Sequence, residues 1–136
     1  MEMGMENFLI SSSLIGILAQ RLVRVNCTHC LEPYTPETGM LEQMGLTDGE
    51  KGKVKILQGR GCENCANTGY RGRLGIYEFL PISDEIRGLI LEKADSNTIK
   101  EMGRKRGMRT LREAGWKKVR DGFTTISEVL RVTQVE

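Results

Sequence analysis

Four cysteines fall into two equal pairs, Cys27-x-x-Cys30 and Cys62-x-x-Cys65, and of all the residues in this chain they have the type and spacing best suited to chemistry. A gap of two residues lets one tight turn aim two thiolates at a single point, and two such turns complete a tetrahedron. Zinc favours that geometry with thiolate ligands. Four sulfurs leave it no open position for water or substrate, so the predicted site is a structural zinc centre and not a hydrolytic one. Thirty-one residues separate the pairs, a stretch that can loop out because closure entropy rises slowly with loop length. A redox dithiol needs one pair in a thioredoxin-like strand-helix setting, and four unrelated buried thiols would not share one spacing. An iron-sulfur cluster accepts the same four thiolates, and spacing alone does not separate it from zinc.

No second chemical constellation accompanies the cysteines. His29, the only histidine, lies inside the first pair, where four thiolates already fill the shell, so it is expected outside the coordination sphere. One histidine suggests no Cys-His or Ser-His set, and Ser11, Ser12 and Ser13 lack a neighbouring base, so no catalytic residue is assigned. Residues 100–120 hold nine basic and two acidic side chains, a local +7 in a chain of net +2, which leaves −5 elsewhere. Such a stripe suits an acidic partner, an anionic lipid surface or nucleic acid. The aromatic-basic interleaving that stacks bases is missing, so nucleic acid is not expected.

The elements that must position the cysteines follow from size and periodicity. A chain of 136 residues with 5% aromatics builds a thin core that profits from a metal cross-link. Residues 8–23 are apolar but short and broken by Ser11, Ser12, Ser13, Gln20 and Arg21, so no transmembrane helix is predicted. Glu2 and Glu6 precede that run and Arg21 and Arg24 follow it, the reverse of a secretory signal, which points to a cytoplasmic chain whose cysteines bind metal and do not form disulfides. Ile10, Leu14, Ile17, Leu18 and Leu22 recur at helical spacing and predict an amphipathic helix over residues 6–24. Pro36 predicts a short second helix ending near Gly45, followed by an exposed loop over 48–53. Val54 to Ile56 and Leu74 to Leu80 alternate as two short strands flanking the second cysteine pair. Beyond Pro81 the pattern turns helical, with Ser83 as a cap, Thr98/Glu101, Thr110/Glu113 and Thr125/Glu128 as Thr-x-x-Glu starts, and Gly107 and Gly122 at helix ends. The predicted fold is α+β and mostly α, with an N-terminal helix over 1–24, a zinc-stapled tetracysteine module with a short β-hairpin over 25–80, and three or four short C-terminal helices over 81–136.

The run from Gly61 through Cys62-Glu-Asn-Cys65, continuing as Thr68-Gly-Tyr-Arg-Gly-Arg-Leu-Gly-Ile-Tyr-Glu78, resembles the C-terminal domain of bacterial type II secretion and type IV pilus assembly ATPases. Residues 8–24 (FLISSSLIGILAQRLVR) and 115–133 (GWKKVRDGFTTISEVLRVT) resemble the same family, so the likeness covers essentially the whole chain. The resemblance implies a cytoplasmic hexamer peripheral to the inner membrane, docked on its platform proteins, in which ATP with magnesium drives secretion or pilus assembly. It also implies that residues 1–24 close the nucleotide-binding domain and that Arg21 lies near the bound nucleotide. A free-standing zinc ribbon that binds nucleic acid or anionic surfaces is the rival reading. No Gly-x-x-x-x-Gly-Lys-Ser/Thr loop is present to cradle phosphates. The chain by itself is therefore expected to show no magnesium-dependent ATP turnover above a protein-free blank, and turnover that survives removal of contaminants would refute this.

Overall fold

A computed structural model describes residues 7–36, 38–44 and 56–133. In chain order the elements are α1 (Asn7–Ser13), β1 (Gly16–Asn26), β2 (Leu31–Tyr34), α2 (Thr38–Gln43), β3 (Ile56–Gly59), a single 3-10 turn (Glu63–Cys65), β4 (Tyr70–Pro81), α3 (Asp84–Leu91), α4 (Ser96–Lys105), α5 (Leu111–Arg120) and α6 (Ile126–Thr133). The architecture is α+β, with four helices after the cysteine module. The helix expected over residues 6–24 stops at Ser13, and the rest of that segment is the strand β1, which pairs with β4. The Ser12 and Ser13 hydroxyls bond back to the Leu9 carbonyl at 3.3 and 2.5 Å, a local competition that weakens a helix at this point. The β-branched Ile17, Val23 and Val25 then favour the extended chain that β4 offers to pair. The helical spacing of the leucines is genuine, but tertiary pairing overrides it.

The chain divides into two compact units, and neither is a single stretch of sequence: residues 1–19 with 78–110, and residues 20–77 with 111–136. In the first unit Ile82, Ile86 and Ile90 form the core, with Leu14, Leu80, Leu89, Ile99 and Met102 packed on it. Ser83 caps α3 by accepting the Ile86 amide, as its sequence position predicts. The α4 cap falls elsewhere than expected. Asp95 accepts the Thr98 amide at 2.7 Å, so Thr98 lies one turn inside the helix, where its hydroxyl cannot cap. Gly107 ends α4 at φ +98°, a conformation that costs glycine nothing.

In the second unit Leu41, Met44, Ile56, Val119, Ile126, Val129 and Leu130 form the core, flanked by Tyr34, Met40 and Trp116. The expected second helix is α2. Glu37 and the loop over 48–53, with Val54 and Lys55, lie outside the described residues. The two strands that flank the second cysteine pair do not pair with each other. β3 pairs antiparallel with β2, in the register Leu31 with Gly59 and Tyr34 with Ile56. Gly115 brings α5 against α6, since a methyl group there would stand 2.5 Å from Val129.

A buried charge organises this unit. Glu128, 1% exposed, lies on the inner face of α6. Its carboxylate accepts the Arg24 amide at 3.1 Å, the Arg24 guanidinium at 2.6 Å and the Arg131 guanidinium at 2.8 Å. Arg24 stacks 4.3 Å from the centre of the Tyr70 ring, whose hydroxyl meets Thr125 Oγ1 at 2.7 Å, and Thr124 Oγ1 donates to the Arg24 carbonyl. Thr125 does accept the Glu128 amide, half of the expected capping box. The other half is absent because the carboxylate is committed to the arginines. Burial alone would raise the Glu128 pKa, but the Arg131 and Arg24 guanidiniums and the Arg24 amide outweigh it and hold it at about 2, against an ordinary 4.5. A depressed carboxyl stabilises the fold above its unfolded pKa, and that stabilisation is lost as pH falls toward the folded value. Stability should therefore drop from pH 4.5 to about 2 by on the order of 3 kcal/mol, and Glu128→Gln should be destabilised at neutral pH while flattening that acid limb. Denaturant melts across this range measure it, and an acid limb unchanged in Glu128→Gln would refute the assignment.

Candidate metal centre

The first cysteine pair follows β1 directly, and the second sits on the 3-10 turn between β3 and β4. The ladder of β2 and β3 performs the closure that the long spacing required. Leu31 opposite Gly59 brings Cys30 beside the chain that enters the second turn, where the Arg60 amide donates to the Cys30 carbonyl at 2.9 Å. In the second turn the Asn67 amide returns to the Cys62 carbonyl at 2.8 Å, and the Thr68 hydroxyl donates to the Cys65 carbonyl at 2.7 Å. Ala66 and Asn67 sit at φ +53° and +61°, a left-handed bend that turns the chain back toward β4.

All four cysteine sulfurs lie within 4.8 Å of one another. The Cys27–Cys62 separation is 3.7 Å, and Cys30–Cys65 and Cys62–Cys65 are each 3.8 Å. A tetrahedron with metal–sulfur bonds of about 2.3 Å has edges of about 3.8 Å, whereas a disulfide requires about 2.05 Å. The thiols are thus unpaired and spaced as the corners of a four-sulfur metal site. Cys27, Cys30 and Cys65 are buried and Cys62 is partly so. Backbone amides point at the sulfurs: Gly61 to Cys30 at 3.3 Å, and Cys62 and Gly69 to Cys65 at 3.2 Å each. Burial pushes the Cys30 thiol up to about 11 against the opposing Gly61 amide. Burial also acts to raise Cys65, but the Cys62 and Gly69 amides and the neighbouring Cys62 and Cys30 thiols bring it down to about 6. Amide donors aimed at sulfur stabilise thiolate, the form that ligates metal.

His29 is exposed between the cysteines of the first turn, outside the sulfur cluster. Arg21 is exposed on β1, not on a helix, with its guanidinium folded onto the Gln20 carbonyl at 2.9 Å. The basic run of residues 100–120 is divided between the two units, and several of its members are engaged locally. Arg106 pairs with Glu85, Arg104 with Glu101 at 3.7 Å and Lys100 with Glu78 at 4.0 Å, while Arg112 donates to Thr133 and to the Gln43 carbonyl. Sequence reasoning assigned Glu128 to a capping box and missed its burial between arginines, although one signal was available: an acid on the apolar stripe of Ile126, Val129 and Leu130, three residues before Arg131. Among the described residues, no helix is long and apolar enough to cross a membrane.

The family described as "Type II/IV secretion system protein" matches over residues 1–131. The chain is 46% identical over 132 residues to the type IV pilus assembly ATPase PilB of Thermus thermophilus, which takes in 97% of this chain and 15% of that protein. It is 44% identical over 134 residues to the type II secretion system ATPase E of Vibrio cholerae and 42% identical over 135 residues to the type II secretion system protein E of Pseudomonas aeruginosa. These alignments cover 98% and 99% of this chain and 26% of each relative, so the chain spans about a quarter or less of the length of the proteins it matches. The thiol tetrahedron is expected to bind about one metal ion per chain, and Cys65→Ser should remove the metal-dependent part of the stability, on the order of several kcal/mol. Elemental analysis and melting with and without a chelator measure both effects. A folded, metal-free wild type whose melting temperature ignores the chelator would refute the assignment.

Proposed function

The chain belongs to the type II/IV secretion system protein family, and on that premise we propose that it is the zinc-binding C-terminal portion of an ATPase powering type II secretion or type IV pilus assembly. The observation that carries the proposal is a set of sulfur–sulfur edges of 3.7 to 3.8 Å within a chain whose whole length aligns with such ATPases. Zinc is the proposed ion because a closed four-thiolate tetrahedron suits a metal with no redox task, and Cys27, Cys30, Cys62 and Cys65 are its proposed ligands. When bound, it cross-links the end of β1 to the turn before β4. The residues themselves would hold the ion, stabilise its thiolate ligands with amide donors and bury three of the four cysteines. The role is mechanical: a metal-stapled body joined to a nucleotide-binding core, of which residues 1–24 form the closing part. Such a body moves as one piece when the core closes on ATP and magnesium. On this reading the whole protein is a cytoplasmic hexamer at the inner face of the bacterial inner membrane, next to the platform proteins of its machine.

Two substitutions in the complete ATPase test this reading. Cys62→Ser with Cys65→Ser should abolish secretion or pilus assembly in cells while nucleotide still binds, and normal assembly without bound zinc would overturn the mechanical role. Arg21, exposed on β1, is the proposed nucleotide-side residue. Arg21→Ala should weaken nucleotide binding or slow turnover by roughly tenfold, the scale of one charge-assisted hydrogen bond. Unaltered kinetics would leave Arg21 a surface residue of the strand.

A further inference from the structure

Two glycines cross beneath the sulfur cluster at a distance no other residue permits. An L side chain at Gly59 would place its Cβ 2.0 Å from the Gly69 carbonyl oxygen, and one at Gly69 would place it 2.4 Å from the Gly59 oxygen. Real Cβ atoms do not approach backbone so closely, so the chain at the end of β3 and the chain entering β4 touch main chain to main chain. The seam continues one step along, where a Cβ at Gly61 would stand 3.2 Å from the Asn67 oxygen. Gly59 has no positive φ, whereas Gly69 is at +82° and Gly61 at +108°. Backbone freedom therefore does not account for Gly59. What its position requires is the absence of a side chain.

The groups that emerge from this seam point into the metal centre. Gly69 donates its amide to Cys65 Sγ at 3.2 Å and accepts the Cys27 amide on its carbonyl at 2.9 Å, so one residue is bonded to both cysteine turns. Gly61 donates to Cys30 Sγ at 3.3 Å. The Gly69 carbonyl that meets the Cys27 amide is the atom that a Cβ on Gly59 would strike. A side chain at Gly59 must push Gly69 away, which stretches both its bonds and separates the turn of Cys27 and Cys30 from that of Cys62 and Cys65. A tetrahedron with edges near 3.8 Å tolerates little of this, because ligands displaced by a few tenths of an ångström no longer share one ion.

We propose that Gly59 and Gly69 are positioning residues of the metal centre, whose side-chain-free crossing holds the Gly69 amide on Cys65 and the Gly69 carbonyl on the Cys27 amide so that both turns reach one ion. This rests on the four-thiolate reading given above. The test uses the full chain with cobalt(II) as the spectroscopic probe and zinc in competition with a chelator. Gly59→Ala and Gly69→Ala should each bind metal about ten- to a hundredfold more weakly, the usual effect of losing a group that orients a ligand, and should shift the sulfur-to-cobalt charge-transfer bands. Gly72→Ala is the control. Gly72 has a left-handed φ of +87°, like Gly69, but nothing within 4 Å of a Cβ, so its alanine carries the backbone strain of Gly69→Ala without the clash and should keep wild-type affinity and spectrum. Combining the alanines at 59 and 69 should cost less than the sum of the two, since either one alone opens the crossing. In wild type loaded with the spin-active cadmium isotope, the Gly69 and Gly61 amide protons should show scalar coupling to the metal through sulfur, a measurement that needs no variant to fold. Wild-type affinity and spectrum in Gly59→Ala, equal losses in Gly72→Ala, or no coupling at Gly69 would each overturn the positioning role while leaving the metal centre standing. A wild type that binds no cobalt through four sulfurs would overturn the centre and this inference together.

Discussion

Four thiols that must meet at one point impose the strictest geometric condition in this protein, and much of the second unit serves it. Cys27 and Cys62 are thirty-five residues apart yet 3.7 Å apart in space. The β2–β3 ladder folds the intervening chain back on itself, and the Arg60 and Asn67 amides close the turns on the cysteine carbonyls. Each of these hydrogen bonds contributes modestly by itself. Their common outcome is that the four sulfurs lie within 4.8 Å of one another, close enough to share one ion.

The same unit contains a second long-range tie of a different kind. Glu128 joins α6 to β1 through Arg24 and to its own helix through Arg131. Taking a carboxylate out of water is costly unless nearly every lone pair is satisfied. Here the main-chain amide of Arg24 and two guanidiniums provide that satisfaction, and both arginines remain about half exposed, so only one of the three charges is fully desolvated. One tie is a cluster of thiols spaced to hold a metal ion, while the other is an ion pair that depends on pH. They meet near the end of β1, where Arg24 lies three residues before Cys27, and they respond to different conditions.

Of the nine basic residues between 100 and 120, four are engaged within the fold. Read as a string, they form a +7 block that invites an anionic partner. Folded, Arg106, Arg104 and Lys100 meet carboxylates of their own unit, and Arg112 serves the carbonyl ends of α2 and α6. Two of these acidic partners, Glu85 and Glu78, belong to the −5 remainder of the chain, whereas Glu101 lies inside the block. Sequence order concealed the pairing because Glu85 and Glu78 lie some twenty residues upstream.

Local chemistry determined what the sequence by itself could specify. Two Cys-x-x-Cys spacings identified four cysteines that the structure brings together, because ligand spacing within a turn is a short-range property. Ser83 as a cap, Gly107 and Gly122 as helix ends, and four helices after Pro81 follow from propensities acting over a few residues. Tertiary contact decided the rest. Residues 16–26 carry leucines at helical spacing yet extend as β1, because β4 supplies a partner fifty residues away that no local window contains. Asp95 displaced Thr98 as the cap of α4, and the carboxylate of Glu128 turned from its capping box to a buried pair of arginines. The need of Gly59 to lack a side chain became apparent only where the Gly69 backbone crosses it. Periodicity and spacing report the preferences of a segment considered alone, whereas pairing, charge burial and close backbone approach depend on residues that only the fold makes neighbours.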